Sequence, residues 1–340
     1  MDQSETSLQT LRQTRLSLLR LALRSALIGG LVVWAFIGPM PLITIQPGPT
    51  FDTAKLVKVE ANTYPPEGSY HMATVTLYEA TFAQAVWGWI QSDVGVIPRE
   101  AIYPPDVPTE QVDREIAAQM DESEYAAGVA ALQELGYGLE RDGALVRATR
   151  TETPAAAKLK PGDVIVSVNG QPVSSPDDVG KILSTTTAGG DVILGYRREQ
   201  RLQEIEIATV RRSKTDPAAD LGVDLLQDYR YPFAITIDAG DVGGPSAGLA
   251  FALTLVDLLG PGDMSRGRVV AGTGEIKPDG SIGKIGGMAQ KVAAVERLNA
   301  DVFFVPEPDY EDAVRAARAS RLKVIGVKNL HQAVLALEGD

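Results

Sequence analysis

The sequence predicts an α+β protein made of an N-terminal transmembrane helix, a small strand-rich module and a C-terminal α/β domain. Three observations carry this. Residues 25–45, SALIGGLVVWAFIGPMPLITI, hold no charged side chain. Residues 137–210 break into short strand-like runs parted by turn signals such as Asp142-Gly143 and Asn169-Gly170, the pattern of hairpins. Residues 220–340 alternate apolar strand-like and helix-like runs, as in a layered α/β domain.

At about 1.5 Å per residue, a helix over 25–45 crosses the roughly 30 Å of bilayer hydrocarbon. Arg12, Arg15, Arg20 and Arg24 precede it, and the nearest cations after it are Lys55 and Lys58. The positive-inside bias then places residues 1–24 in the cytoplasm and everything after about residue 46 outside. A cleavable signal peptide is the competing reading. No small-x-small site follows, so a single-pass cell-membrane anchor is expected. Gln46-Pro47-Gly48-Pro49-Thr50 cannot continue a helix and forms the exit.

The 340 residues, 44% hydrophobic and 22% charged, suffice for several compact cores. A net charge of −12 without any Lys/Arg block argues against a nucleic-acid partner. There is no cysteine, which removes disulfides, thiolate metal sites and cysteine nucleophiles. With only His71 and His331, a histidine triad or metal cluster has little material, and both are expected to be structural or at the surface. No cofactor or metal is expected.

Residues 46–136 read as strands and helices that support or complete the C-terminal domain. A strand over 68–77 puts His71 on one face with Ala73, Val75 and Leu77. Residues 81–91 bring together Phe82, Val86, Trp87, Trp89 and Ile90. Clustered aromatics read as core packing, with a helix lying on a membrane surface as the alternative. Pro104 to Pro108 break the chain, one or two helices follow over 110–135, and Gly136 is a natural stop.

Residues 155–173, AAAKLKPGDVIVSVNGQPV, with a helix expected over 175–183, resemble a PDZ domain of the bacterial protease-associated type. That resemblance implies that residues 137–211 are mostly β with a flanking helix. It also implies capture of an extended peptide by strand addition and of its carboxylate by loop N–H groups. Tyr137, Gly138 and Leu139 would be that loop, although Gly136 reads equally as a helix end. The polar run from Arg211 to Asp220 reads as a boundary.

In residues 241–249, DVGGPSAGL, Ser246 stands between a strand-like run over 233–237 and an apolar run over 249–259, read as a buried helix. On its own such a serine is a helix cap. The same turn also aims backbone N–H groups and the positive helix end at any oxyanion formed on the serine. With histidine scarce, a lysine must serve as base, and only one kept neutral can do so. Lys277 and Lys284 flank the turn Pro278-Asp279-Gly280 and should be solvated. Lys291, within GGMAQKVAAV (286–295), has Met288, Val292 and Val295 beside it at helical spacing. Burial there lowers its pKa toward that of a general base. The alternative is a packed stem with its head in water.

Gly244-Pro245-Ser246-Ala247-Gly248, then Thr273-Gly274-Glu275-Ile276, then Ile285-Gly286-Gly287 with Lys291 together resemble the proteolytic domain of Lon-type Ser-Lys proteases. The resemblance covers about residues 220–340 and implies Ser246 as nucleophile, Lys291 as base, Thr273 as support for the lysine, and N–H groups around Gly243, Gly244 and Ser246 as oxyanion hole. With the anchor and PDZ module the arrangement is similar to the membrane-anchored, PDZ-containing Lon-like proteases of Gram-positive bacteria. Two features depart from the family. No G-x-x-x-x-G-K-[ST] loop is present, which implies action without ATP on unfolded or extended protein segments. Gly243 stands where many Lon serine loops carry an acidic residue. The resemblance allows a homo-oligomer without fixing its number. The competing function is a catalytically inactive, membrane-tethered PDZ scaffold that binds peptides.

Overall fold

The computed structural model describes residues 2–199, 201–213, 215–317 and 321–339. The side chains of residues 2–18, Arg12 and Arg15 among them, lie outside the described part, as do Lys214 and Ser320. Helix α1 (Asp2–Ile37) contains an apolar stretch at Leu19–Ile37, long enough to cross a bilayer. It ends because Pro39 has no N–H to continue the ladder. The expected span is therefore corrected at its far end. Residues 39–45 open strand β1 (Pro39–Asp52), where Ile43 is buried and Ile45 pairs with Leu77. An uncharged apolar run has no period that separates a helix end from a buried strand.

Strand β2 (Ser69–Thr81) leads through helix α2 (Phe82–Ile90) to β3 (Gly95–Pro98), and the long helix α3 (Thr109–Glu134) follows. The middle of the chain forms β4 (Glu140–Thr149), β5 (Val164–Val168), helix α4 (Pro176–Leu183), β6 (Asp191–Arg198), β7 (Arg201–Ala208) and β8 (Val223–Arg230). The last part forms α5 (Gly248–Leu259), β9 (Val269–Gly272), α6 (Met288–Leu298), β10 (Val302–Pro306), α7 (Tyr310–Ala316), β11 (Lys323–Val327) and α8 (Leu330–Gly339).

One six-stranded sheet runs in the order β11-β10-β9-β2-β1-β3. β9 lies parallel to both β10 and β2, whereas β2, β1 and β3 are antiparallel. Strands from both ends of the chain thus share one sheet, with the module of β4 to β8 inserted between them. Alternation sends Phe304 to the face covered by α5, with Tyr70, Met72 and Phe251. Phe303 and Val305 go to the face covered by α6 and α7. Helix α5 is buried all round, which explains its nearly unbroken apolar sequence. Phe304→Ala is expected to cost about 3–5 kcal/mol, read as a lowered melting transition of this domain in calorimetry.

The inserted module is an antiparallel sheet ordered β8-β4-β5-β6-β7 over a core of Val146, Ile165, Leu183, Leu194 and Ile207. Asn169 and Gly170 form the expected tight turn, with φ of 50° and 73°. Asp142-Gly143 does not. Gly143 lies inside β4 at φ 138°, where a Cβ would stand 2.7 Å from the Ile165 carbonyl oxygen; the glycine serves close strand approach rather than reversal. The sheet also takes in β8, beyond the expected end at residue 211, because the polar run after it is a loop inside the module.

Candidate active site

The 3₁₀ turn Pro245–Ala247 carries Ser246 at the entrance to α5. Gly244 precedes it at φ 85° and ψ 157°, a conformation open essentially to glycine alone. Lys291 lies in the first turns of α6, on the face turned to the sheet, and is 3% exposed. Thr273, fully buried, follows the end of β9. These three elements bring their side chains together. Lys291 Nζ is 2.8 Å from Ser246 Oγ, 3.2 Å from Thr273 Oγ1 and 2.8 Å from the Ala73 carbonyl oxygen. Thr273 Oγ1 in turn donates to the Ser246 carbonyl at 3.1 Å.

A neutral amine has two N–H donors and one lone pair. Donation to Ala73 O and Thr273 Oγ1 leaves the lone pair for the Ser246 hydroxyl. Burial alone pushes the Lys291 pKa down to about 7, since no anion is placed to compensate the charged form. The snorkelling alternative is excluded by the 3% exposure. Lys277 and Lys284 are exposed, as expected of residues flanking a turn.

Residues 120–209 match the PDZ domain family, and residues 215–337 match the C-terminal proteolytic domain of Lon protease (S16). The chain therefore carries a PDZ domain and a Lon-type proteolytic domain. It is 27% identical over 162 residues to the Lon protease of Trichlorobacter lovleyi, covering 46% of this chain and 20% of that protein. It is 36% identical over 146 residues to the Lon protease of Aster yellows witches'-broom phytoplasma, covering 42% and 18%. It is 37% identical over 68 residues to the magnetosome formation protease MamE of Magnetospirillum gryphiswaldense, covering 20% and 9%. The chain thus spans a fifth or less of the length of these relatives. The PDZ domain of the SdrC-like protein of Listeria monocytogenes aligns at 21% identity over 26% of this chain and 94% of that one, with a TM-score of 0.25.

Ser246 and Lys291 of the Lon-type domain open into a groove of about 970 Å³ whose walls include Phe51, Val75, Leu77, Met120 and Ile285. Among the described residues, no strand pairs with the β2 edge beside it beyond Met72, where its pairing with β9 ends. Lys291 takes the next outward carbonyl, that of Ala73. Val75 faces Pro47 across β1, and proline cannot donate, so the Val75 and Leu77 backbone groups point away from β1 into the groove. An extended peptide laid there would gain ladder hydrogen bonds beside the serine.

Of the N–H groups expected to form an oxyanion hole, one is already engaged. The Gly243 N–H donates to no protein acceptor among the described residues, but the Gly244 N–H is held by the Ile116 carbonyl of α3 at 2.9 Å. A Cβ on Gly243 would stand 2.4 Å from Ile116 Cγ2. Helix α3 therefore occupies the space that a side chain at 243 would fill. Further along α3, Ser123 Oγ donates to the Pro245 carbonyl at 2.8 Å, and Glu124 accepts from the Ala239 N–H at 3.1 Å. Burial raises the Glu124 carboxyl to about 7. Sequence reasoning predicted helix over 110–135 but missed its contact with the serine loop, and it missed the Ala73 carbonyl, since contacts made to main-chain groups carry no residue-type signal.

Tyr137, Gly138 and Leu139 are not brought to a peptide groove. Gly136, at φ 79°, terminates α3, Tyr137 packs edge-on against Phe233 at 5.7 Å, and Leu139 packs on the core of the Lon-type domain. The segment anchors α3 instead, and the outer PDZ strand in contact with α4 is β8. His71 bonds Ser69 Oγ at 3.0 Å and His331 bonds Glu134 at 2.7 Å; neither bonds to Ser246.

Proposed function

We propose that this protein is a membrane-anchored serine endopeptidase that works without ATP. The observation that carries the reading is a buried Lys291 amine 2.8 Å from the Ser246 hydroxyl. Ser246 Oγ attacks the scissile carbonyl as its proton passes to Lys291 Nζ, and the oxyanion draws on the Gly243 N–H and the positive end of α5. Lys291 returns the proton to the leaving amine, and the acyl-enzyme forms. A water molecule then gives up a proton to Lys291 and attacks the ester. Lys291 passes that proton to Ser246 Oγ as its bond to the acyl carbon breaks, which releases the carboxylic acid and restores the serine hydroxyl and the neutral amine. Thr273 and the Ala73 carbonyl hold the amine in line throughout.

Substrates would be unfolded or extended segments lying along the β2 edge of the groove, since this sequence carries no nucleotide-binding loop to drive unfolding. The PDZ domain would hold or gate them. The arginines in the N-terminal part of the α1 sequence, Arg12, Arg15, Arg20 and Arg24, favour a cytoplasmic N-terminus with the PDZ and Lon-type domains outside. The purified protein is expected to cut an unfolded protein into fragments and to be labelled by a serine-directed fluorophosphonate at Ser246 alone, located by peptide mass spectrometry. Peptide binding without fragments or label would support the inactive scaffold instead.

A further inference from the structure

Helix α2 is built inside out for a helix that packs on a soluble domain. Its small residues Ala85 and Gly88 face the protein, and a Cβ on Gly88 would stand 2.7 Å from Val96 Cγ2. Its large ones face outward: Phe82 is 44% exposed, Trp87 62%, Trp89 65% and Ile90 71%. No residue from Phe82 to Ile90 is charged. The expectation that these aromatics fill a core is therefore corrected, and clustering alone could not show which face they take. An outward patch of this kind marks a surface that something covers.

Its position says what covers it. Phe82 borders an apolar pocket whose other walls are Ile28, Leu31, Val32, Trp34 and Ala35 of α1. Those residues lie inside the Leu19–Ile37 stretch, and Ile28 is roughly 13 Å along the helix axis from its end at Ile37. That depth is within the half-thickness of the hydrocarbon, about 15 Å. With α1 across a bilayer, whatever touches it at this level is in the bilayer too. The outward faces of α1 and α2 form one continuous apolar surface, and tryptophan is the side chain best suited to its headgroup boundary.

We infer that α2 is a second membrane-seating element, sunk into the outer leaflet beside α1, so that the Lon-type domain is fixed against the bilayer rather than swinging on a tether. This rests on the proposed anchor but not on the proposed chemistry. Because β2 runs directly from the groove at Val75 and Leu77 into α2, the seat would also set the orientation of the active-site groove to the membrane.

The three tryptophans of the chain, Trp34, Trp87 and Trp89, make the test direct. The full chain is reconstituted in phosphatidylcholine/phosphatidylglycerol vesicles as two variants: Trp34→Phe, which reports α2, and Trp87→Phe with Trp89→Phe, which reports α1. Emission is quenched either by lipids brominated on their acyl chains or by iodide in the outer solution. In the α2 reporter, brominated lipid is expected to remove about half of the emission and iodide almost none. If the α1 reporter is quenched by brominated lipid while the α2 reporter responds to iodide instead, the seat is overturned and the anchor stands. If neither reporter responds to brominated lipid, both fall. An α2 reporter shielded from both quenchers until the protein is diluted in lipid would mean that a second copy covers the patch, which also overturns the inference. No readout involves cleavage, so failure of the proposed chemistry leaves the result unaffected.

Discussion

Lys291→Met is expected to lower kcat/KM at least about 1,000-fold while leaving the domain close to wild-type stability at pH 7. Methionine fills the same channel in α6 but cannot accept the Ser246 proton. Its effect on stability is a balance of two terms. The amine has a pKa of about 7 in the folded protein against about 10.4 in the unfolded chain. Between those values the unfolded state binds a proton that the folded state does not. Stability contributed at high pH is therefore lost as pH falls through this window, by a few kcal/mol in all. Methionine removes that loss but strands the Ala73 carbonyl, at about 1–3 kcal/mol. The terms nearly cancel at neutral pH. Melting curves should accordingly show the wild type gaining on the variant between pH 7 and pH 10. Cleavage by the wild type should rise about tenfold per pH unit up to pH 7 and then level. Glu124 also titrates near 7, so the same profile must persist in Glu124→Gln; a flat profile there would transfer the effect from Lys291 to the loop that Glu124 holds.

The pairing of Ser246 with Lys291 was legible because its signals are local. A serine between glycines ahead of an apolar helix, and a lysine with apolar neighbours at helical spacing, each specify their own surroundings, and only their meeting at 2.8 Å needed the fold. What the sequence concealed was non-local. Whether residues 39–45 continue α1 or start β1 depends on β2, a partner that no period within the run reveals. Asp142-Gly143 has a turn's composition but sits where β4 must approach β5 closely. Trp87 and Trp89 gave a hydrophobic signal without a direction, and that direction is decided by Gly88 fitting against Val96. The Tyr137 segment was drawn toward peptide capture by its place ahead of the PDZ strands, while its neighbour Phe233 lies far along the chain.

Gly243→Asp is the second substitution expected to have a large effect, and it tests why this serine loop lacks a side chain. The new Cβ would meet Ile116 Cγ2 at 2.4 Å. That atom is one bond from the Ile116 Cβ and cannot swing away without a change of rotamer, so either the serine loop or α3 must move. Overpacking of this kind costs about 1–3 kcal/mol. It also shifts the Gly243 N–H away from the oxyanion, and a lost donor lowers kcat by about 100-fold. Ile116→Ala alone should be mild, because the Gly244 N–H bonds the Ile116 main-chain carbonyl, which the substitution keeps. Combined with Gly243→Asp it opens the space the new side chain needs. Stability and kcat of the double variant are therefore expected to return most of the way to wild type, with a coupling of at least about 1 kcal/mol in the double-mutant cycle. Additive losses would mean that the aspartate acts through its charge beside Ser246 rather than through α3. Recovery would place α3, and the PDZ domain it leads into, in mechanical contact with the nucleophile loop.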